Sequence, residues 1–205
     1  MMQPLHRRVF LTGSGALLLS RCTLLQAPMT PQLYVLRPSV APAMGMPVRW
    51  RLSVASPDAA QSLDTARIAL TRSATTMDYF ANAAWTDRVP LMLQRLLLQS
   101  YEASGRIVAV DRDSAGLETD YLLETEIRDF TARYENPQGP PQISVNIQAR
   151  MVRMPQREIA GSQNTQQQTP ASANNLDSIV VAFNQATGAA LAQIIAWSLA
   201  MQAPA

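Results

Sequence analysis

The chain has 205 residues and a formal charge of +2, from 17 arginines (no lysine occurs) against 15 acids. Its only cysteine is Cys22, so no disulfide can form within the chain. Its only histidine is His6, so everything beyond the extreme N-terminus lacks Ser-His-Asp triads, Cys–His pairs and His-ligated zinc.

The first 21 residues read as an export signal. Arg7 and Arg8 form a positive start, and Val9 to Leu19 is apolar or small apart from Thr12 and Ser14. Eleven residues at 1.5 Å rise reach about 16 Å, well short of a bilayer core of roughly 30 Å, so this is a signal segment and not a membrane span. Arg-Arg followed by Phe10-Leu11 is similar to a twin-arginine signal, and Sec and Tat export both stay open. Leu19-Ser20-Arg21-Cys22 resembles a bacterial lipoprotein cleavage site, with Arg21 standing where a small residue is usual. Two readings of Cys22 follow. Either it becomes the acylated first residue of the mature chain, or a plain secretory signal is cut a few residues later. Thr23 after it, rather than Asp, points by analogy to the outer membrane.

Loss of residues 1–21 removes Arg7, Arg8 and Arg21 and no acid, which leaves 14 arginines against 15 acids and a charge of about −1. The basic pI therefore gives no case for nucleic acid. The remaining 184 or so residues suit one domain with a core of its own. The organisation read here is a signal at 1–21, a tether at 22–32, one domain at 33–201 and a tail at 202–205.

Leu33 to Leu36 is a first short strand between Pro- and Ala-rich pieces. Val48 to Val54 alternates apolar and polar residues at period two, as a half-buried strand does. Strands follow at Arg67–Thr71 and Met77–Phe80. Thr86-Asp87 reads as a helix N-cap with Pro90 in the first turn, where a missing N–H costs nothing. Leu91, Leu93, Leu96, Leu97 and Tyr101 form its buried stripe, and Gly105 stops it. Ile107–Val110 reads as a short buried strand. Tyr121–Tyr134 is a long strand with a bulge near Phe130, joined by the turn Asn136–Pro140 to a strand running from Ile143 to Met151, and the two make a hairpin. One more strand is expected near Arg157–Ala160. Gly161–Asn175 is rich in Gln, Asn and Ser and reads as a mobile loop. Asn175 caps a last helix whose buried stripe is Ile179, Phe183, Ala186, Ala190, Ile194 and Trp197. Its small residues, Gly188 among them, permit close approach to a sheet or a neighbour. The expectation is an α+β fold, a mainly antiparallel sheet of about six to eight strands with two helices on one face.

Glu124 and Glu126 share a strand face with Arg128. They are a carboxylate pair in principle, and a solvated strand face by the simpler reading. Asp111, Asp113, Glu118 and Asp120 lack the spacing of a known calcium loop, so no metal is expected. Trp50 and Trp197 read as core aromatics. Trp85, beside the helix start, is the one least tied to a core role and could line a lipid groove. No cofactor and no catalytic residue emerge.

Several ordered patterns together resemble one family. They are Leu33-Tyr34-Val35-Leu36; Leu63-Asp64-Thr65 with Arg67-Ile68; Met77-Asp78-Tyr79-Phe80 with Ala84-Trp85 and Arg88-Val89-Pro90; Asp120 to Leu123 with Ile127, Asp129 and Phe130; and Ala182-Phe183-Asn184-Gln185-Ala186 ahead of Trp197. They are similar to the ABC-type transport auxiliary lipoproteins, the group that includes the PqiC-like proteins. The resemblance implies a non-enzymatic lipoprotein anchored through Cys22 at the periplasmic side of the outer membrane. It implies partnership with an MCE-domain protein and an ABC permease and ATPase that move lipids or other hydrophobic molecules. Tyr79, Trp85 and Trp197 are the candidate partner or lipid contacts, and self-association into a homo-oligomer is open. The alternatives are a periplasmic lipid-binding protein, an adaptor for another envelope machine, or a secreted enzyme using Asp, Glu or Ser.

Overall fold

The structure, a computed structural model, describes residues 30–40 and 44–201. The signal, Cys22, most of the tether and the tail lie outside the described residues.

Among the described residues, nine strands, two helices and one 3-10 turn follow in chain order: β1 (Gln32–Tyr34), β2 (Val48–Val54), β3 (Asp58–Ala59), β4 (Arg67–Ser73), β5 (Thr76–Trp85), α1 (Val89–Ser104), β6 (Ile107–Arg112), the 3-10 turn Asp113–Ala115, β7 (Tyr121–Arg133), β8 (Gln142–Arg153), β9 (Glu158–Pro170) and α2 (Leu176–Leu199). The organising strand is β7. One of its edges is paired antiparallel with β8 from Tyr121↔Arg153 to Arg133↔Gln142. The other edge is shared in succession by β2 (Leu52↔Tyr121), β3 (Asp58↔Glu126) and β4 (Leu70↔Ala132), all parallel. From there the sheet branches: β6 adds to β2, while β5 and then β1 add to β4.

The sheet is therefore mixed, which corrects the expectation of a mainly antiparallel one. Five of its eight pairings are parallel. Period-two alternation reports that a strand has two unlike faces, and it does not report the direction of the partner. The bulge expected near Phe130 is present as a register shift between Ile127 and Asp129.

The core lies between the sheet and the helices. Odd-numbered residues Ile143 to Met151 of β8 are nearly inaccessible, and so are Phe183, Ala186, Ala190, Leu191 and Ile194 of α2. The apolar length of α2 is enough by composition to cross a bilayer, but here most of that surface is covered by β8, β9 and α1. Asn175 caps α2, its side chain accepting from Ser178 N at 2.9 Å.

Four local expectations change. First, Gly161–Asn175 is not a loop for most of its length, because β9 runs to Pro170 and pairs with β8 throughout. Composition suggested solvation, but alternate residues Gly161, Gln163, Thr165, Gln167 and Thr169 point to the sheet's covered side, with Thr165 fully buried. The hydrogen bonds come from β8, a long-range partner that local composition does not announce. Second, β6 is an exposed edge strand and not a buried one. It pairs only with β2, and Val108 is 67% exposed. Third, the N-cap of α1 is Arg88, without a side-chain cap; Asp87 accepts from Arg88 N, and Pro90 sits in the first turn. Fourth, Leu91 faces solvent and Met92 takes the buried place on α1. Gly105 ends that helix at φ 62°, a left-handed conformation that suits glycine.

Candidate functional site

Four of the candidate carboxylates are engaged locally. Glu126 pairs with Arg128 at 3.2 Å and Glu124 with Arg157 at 4.0 Å, on a half-exposed face. Asp120 accepts from Arg51 N at 2.7 Å, and Asp111 accepts from Arg112 N at 2.6 Å. Among the described residues, no three His, Cys, Asp or Glu side chains come together as a metal site.

Trp85, Tyr79 and Trp197 are not gathered into one place. Trp85 is 1% exposed and stands edge-on to Phe183 at 5.2 Å and to Phe130 at 6.1 Å. This corrects its reading as a groove residue. It closes β5 directly before α1, so the chain turns inward there and the indole becomes a core side chain. Tyr79 is half-buried, with the Arg67 guanidinium 3.7 Å from its ring centre and its hydroxyl donating to Ser62 O at 3.0 Å. Trp197 is half-buried near the end of α2, beside Gly161 of β9: a Cβ on Gly161 would lie 3.5 Å from its Cζ2, an ordinary contact, and 2.8 Å from Met201 Cε.

The feature with a geometry of its own is the segment from Gln32 to Val40, which lies as a strap across the domain. Its first part is β1, in parallel register with β5 (Gln32↔Ala83, Leu33↔Ala84, Tyr34↔Trp85), and Thr86 N donates to Tyr34 O at 3.0 Å. The strap then follows α2. Asp177 stands beside the Tyr34 hydroxyl; burial raises the pKa of that phenol, and the Asp177 carboxylate raises it further. Arg37 N donates to Asn184 Oδ1 at 2.6 Å. At Gly188 the strap backbone comes so close that a Cβ would stand 2.7 Å from Ser39 O and 3.4 Å from Pro38 Cβ. Asp177, Val181, Asn184 and Gly188 are spaced i, i+4, i+7, i+11, which is one face of a helix. That face is therefore a track for the strap. Leu36 is the strap's buried anchor, at 5% exposed. Between strap and helices runs a groove of about 330 Å³, lined chiefly by Leu36, Pro38, Val40, Leu96, Ala103 and Ile195.

The residues of this seam were visible in the sequence, but not their pairing. Asn184 stood in a motif and Gly188 among the small residues of the last helix, where close approach of a neighbour was expected. That the neighbour is the chain's own N-terminal strap carries no local signal.

Comparison with known proteins agrees with this fold. The crystal structure of protein XCC0632 from Xanthomonas campestris superposes with a TM-score of 0.77 at 26% identity, over 82% of this chain and 94% of that one. A second crystal structure, of an uncharacterized protein, superposes with a TM-score of 0.65 at 15% identity, over 83% and 99% of the two chains, and shows the shared fold. No curated protein matches. The model of the family described as the ABC-type transport auxiliary lipoprotein component matches residues 32–195. That span begins with the strap, contains the β7–β8 hairpin and the Trp85–Phe130–Phe183 cluster, and ends in the last turns of α2, so the chain belongs to the ABC-type transport auxiliary lipoprotein family.

Proposed function

We propose that this protein is a non-catalytic outer-membrane lipoprotein of the Gram-negative envelope. In this reading it works with an MCE-domain periplasmic protein and an ABC permease and ATPase to move lipids or other hydrophobic molecules. The match of the auxiliary-component family to residues 32–195 carries the reading. The signal segment and Cys22 support anchoring, since acyl chains contribute roughly 0.8 kcal/mol per buried CH2 and together hold a domain on a bilayer. The strap supports a mechanical role: force or position set at the N-terminus passes directly into α2. Tyr79 and Trp197 are candidate contacts for a partner on this view, and Trp85 is a core side chain.

Epistasis in the source bacterium tests this. Strains lacking this protein, the ABC permease, or both should share one defect in envelope lipid handling, with the double mutant no worse than either single mutant. Additive defects would reject the shared pathway. A periplasmic lipid carrier, the alternative, predicts lipid bound to the chain isolated from cells, which native mass spectrometry would reveal as a mass above that of the protein.

A further inference from the structure

We propose that the apolar strip formed by Leu33 of β1, Val35 just after it and Val181 of α2 rests on the lipid surface, so that the domain sits on the bilayer in one fixed orientation. The proposal rests on the reading that Cys22 is acylated. Three observations carry it.

The first is the placement of the strip. Leu33 of β1 and Val35, the residue after that strand, are exposed on either side of half-buried Tyr34, which stands beside Asp177. Leu33 is 60% exposed, Val35 44% and Val181 54%. Val35 lies between Tyr34, which stands beside Asp177, and Arg37, whose N–H donates to Asn184, and Val181 lies between Asp177 and Asn184 on the helix. All three exposed residues therefore lie along the stretch where the strap runs beside α2.

The second is reach. Ten residues lead from Cys22 to Gln32. Even fully extended they span at most roughly 35 Å. Because β1 is paired to β5 and pinned along α2, the tether enters the domain at a fixed point, directly beside the strip. The domain's other exposed large apolar residues include Val108 on β6, at the far end of the strand order β1-β5-β4-β7-β2-β6. Of the strip and Val108, the strip is the one beside the point where the tether enters.

The third is charge. Arg37 is exposed and follows the strip directly. A cation near an anionic leaflet contributes about 1 kcal/mol toward association. A short apolar strip with an adjacent arginine suits the headgroup boundary, where apolar side chains enter and the guanidinium stays at the polar level.

The test uses the acylated full chain, purified from membranes and reconstituted in vesicles of phosphatidylethanolamine and phosphatidylglycerol. A nitroxide is placed at Val35→Cys, with Val108→Cys as the control; acylated Cys22 does not react with the label. The vesicles are floated, and collision with oxygen and with a water-soluble nickel chelate is measured. The expected result is severalfold less contact with the chelate at position 35 in vesicles than in detergent-free buffer with the anchor removed, and no change at position 108. The triple variant Leu33→Ser, Val35→Cys (labelled), Val181→Ser should float equally well and regain chelate contact, since exposed substitutions leave the fold intact. Protein that floats with position 35 as open as position 108 overturns the strip and leaves the anchor standing. Protein that fails to float overturns both. Protection at position 35 that appears only in native membranes, and not in pure lipid, also overturns the proposal and assigns the strip to a protein partner.

Discussion

Gly188→Ala is the sharpest test of the strap. In an exposed helix interior this change ordinarily stabilises by about 1 kcal/mol, because alanine loses less backbone entropy. On α2 the new methyl would lie 2.7 Å from Ser39 O and 3.4 Å from Pro38 Cβ. The obstacle is backbone, so it cannot rotate away, and overpacking of this kind costs roughly 1–3 kcal/mol. The net expectation is a loss of about 0–2 kcal/mol. The strap should shift and not detach, because release would give up the burial of Leu36, worth about 1.5–3 kcal/mol, and the Arg37–Asn184 hydrogen bond, worth about 0.5–1.5 kcal/mol. Urea unfolding reads the global term. Amide exchange reads the local one: the Arg37 amide should exchange faster in the variant, while β7 and β8 stay protected as before. A variant that gains about 1 kcal/mol with unchanged exchange at Arg37 would refute the close approach on which the strap argument depends.

Three further outcomes follow from the core. Trp85→Ala should cost about 3–5 kcal/mol in denaturant unfolding, since it empties the space between Phe130 and Phe183; a loss below about 1 kcal/mol would return Trp85 to the surface. Gln94→Leu should cost about 1–3 kcal/mol, because buried Gln94 Nε2 donates to Val54 O at 3.0 Å and its loss strands that carbonyl; a neutral effect would mean the bond is replaced. Burial raises the pKa of Tyr101 strongly, against a smaller opposing effect of its hydrogen bond to Ser198, and burial also raises Tyr134. The unfolded chain releases these protons near pH 10 while the folded chain keeps them, so their contribution is full below about pH 10 and falls as pH rises beyond it. Tyr101→Phe should flatten that alkaline decline in a Tm-against-pH series, and an unchanged slope would count against the buried phenol.

Much of the fold was legible because it is locally encoded. The alternation in Val48–Val54 and Ile143–Met151 gave strands, Pro90 and Gly105 bracketed α1, and Asn175 marked the start of α2. The elements misread are those whose state is decided by a distant partner. The polar stretch after Gly161 becomes β9 because β8 offers it a full ladder. Strand β6 has an apolar sequence yet lies at an edge, because nothing pairs beyond it. The same limit applies to the seam: Asn184 and Gly188 look ordinary in an Ala-rich helix until a strap some 147 residues away in sequence is laid across them. The ordered series of short motifs supplied the family, which periodicity could not, but none of these distant pairings.

The central claim is that this protein acts by touching the other parts of an ABC transport system from a lipid surface. Crosslinking in living cells, followed by affinity purification of the full chain and mass spectrometry, addresses it most directly. The account predicts an MCE-domain protein and an ABC permease among the crosslinked partners, and a mature chain that begins at acylated Cys22. A chain recovered from the cytosol with residues 1–21 intact and crosslinked to no transport component would contradict it.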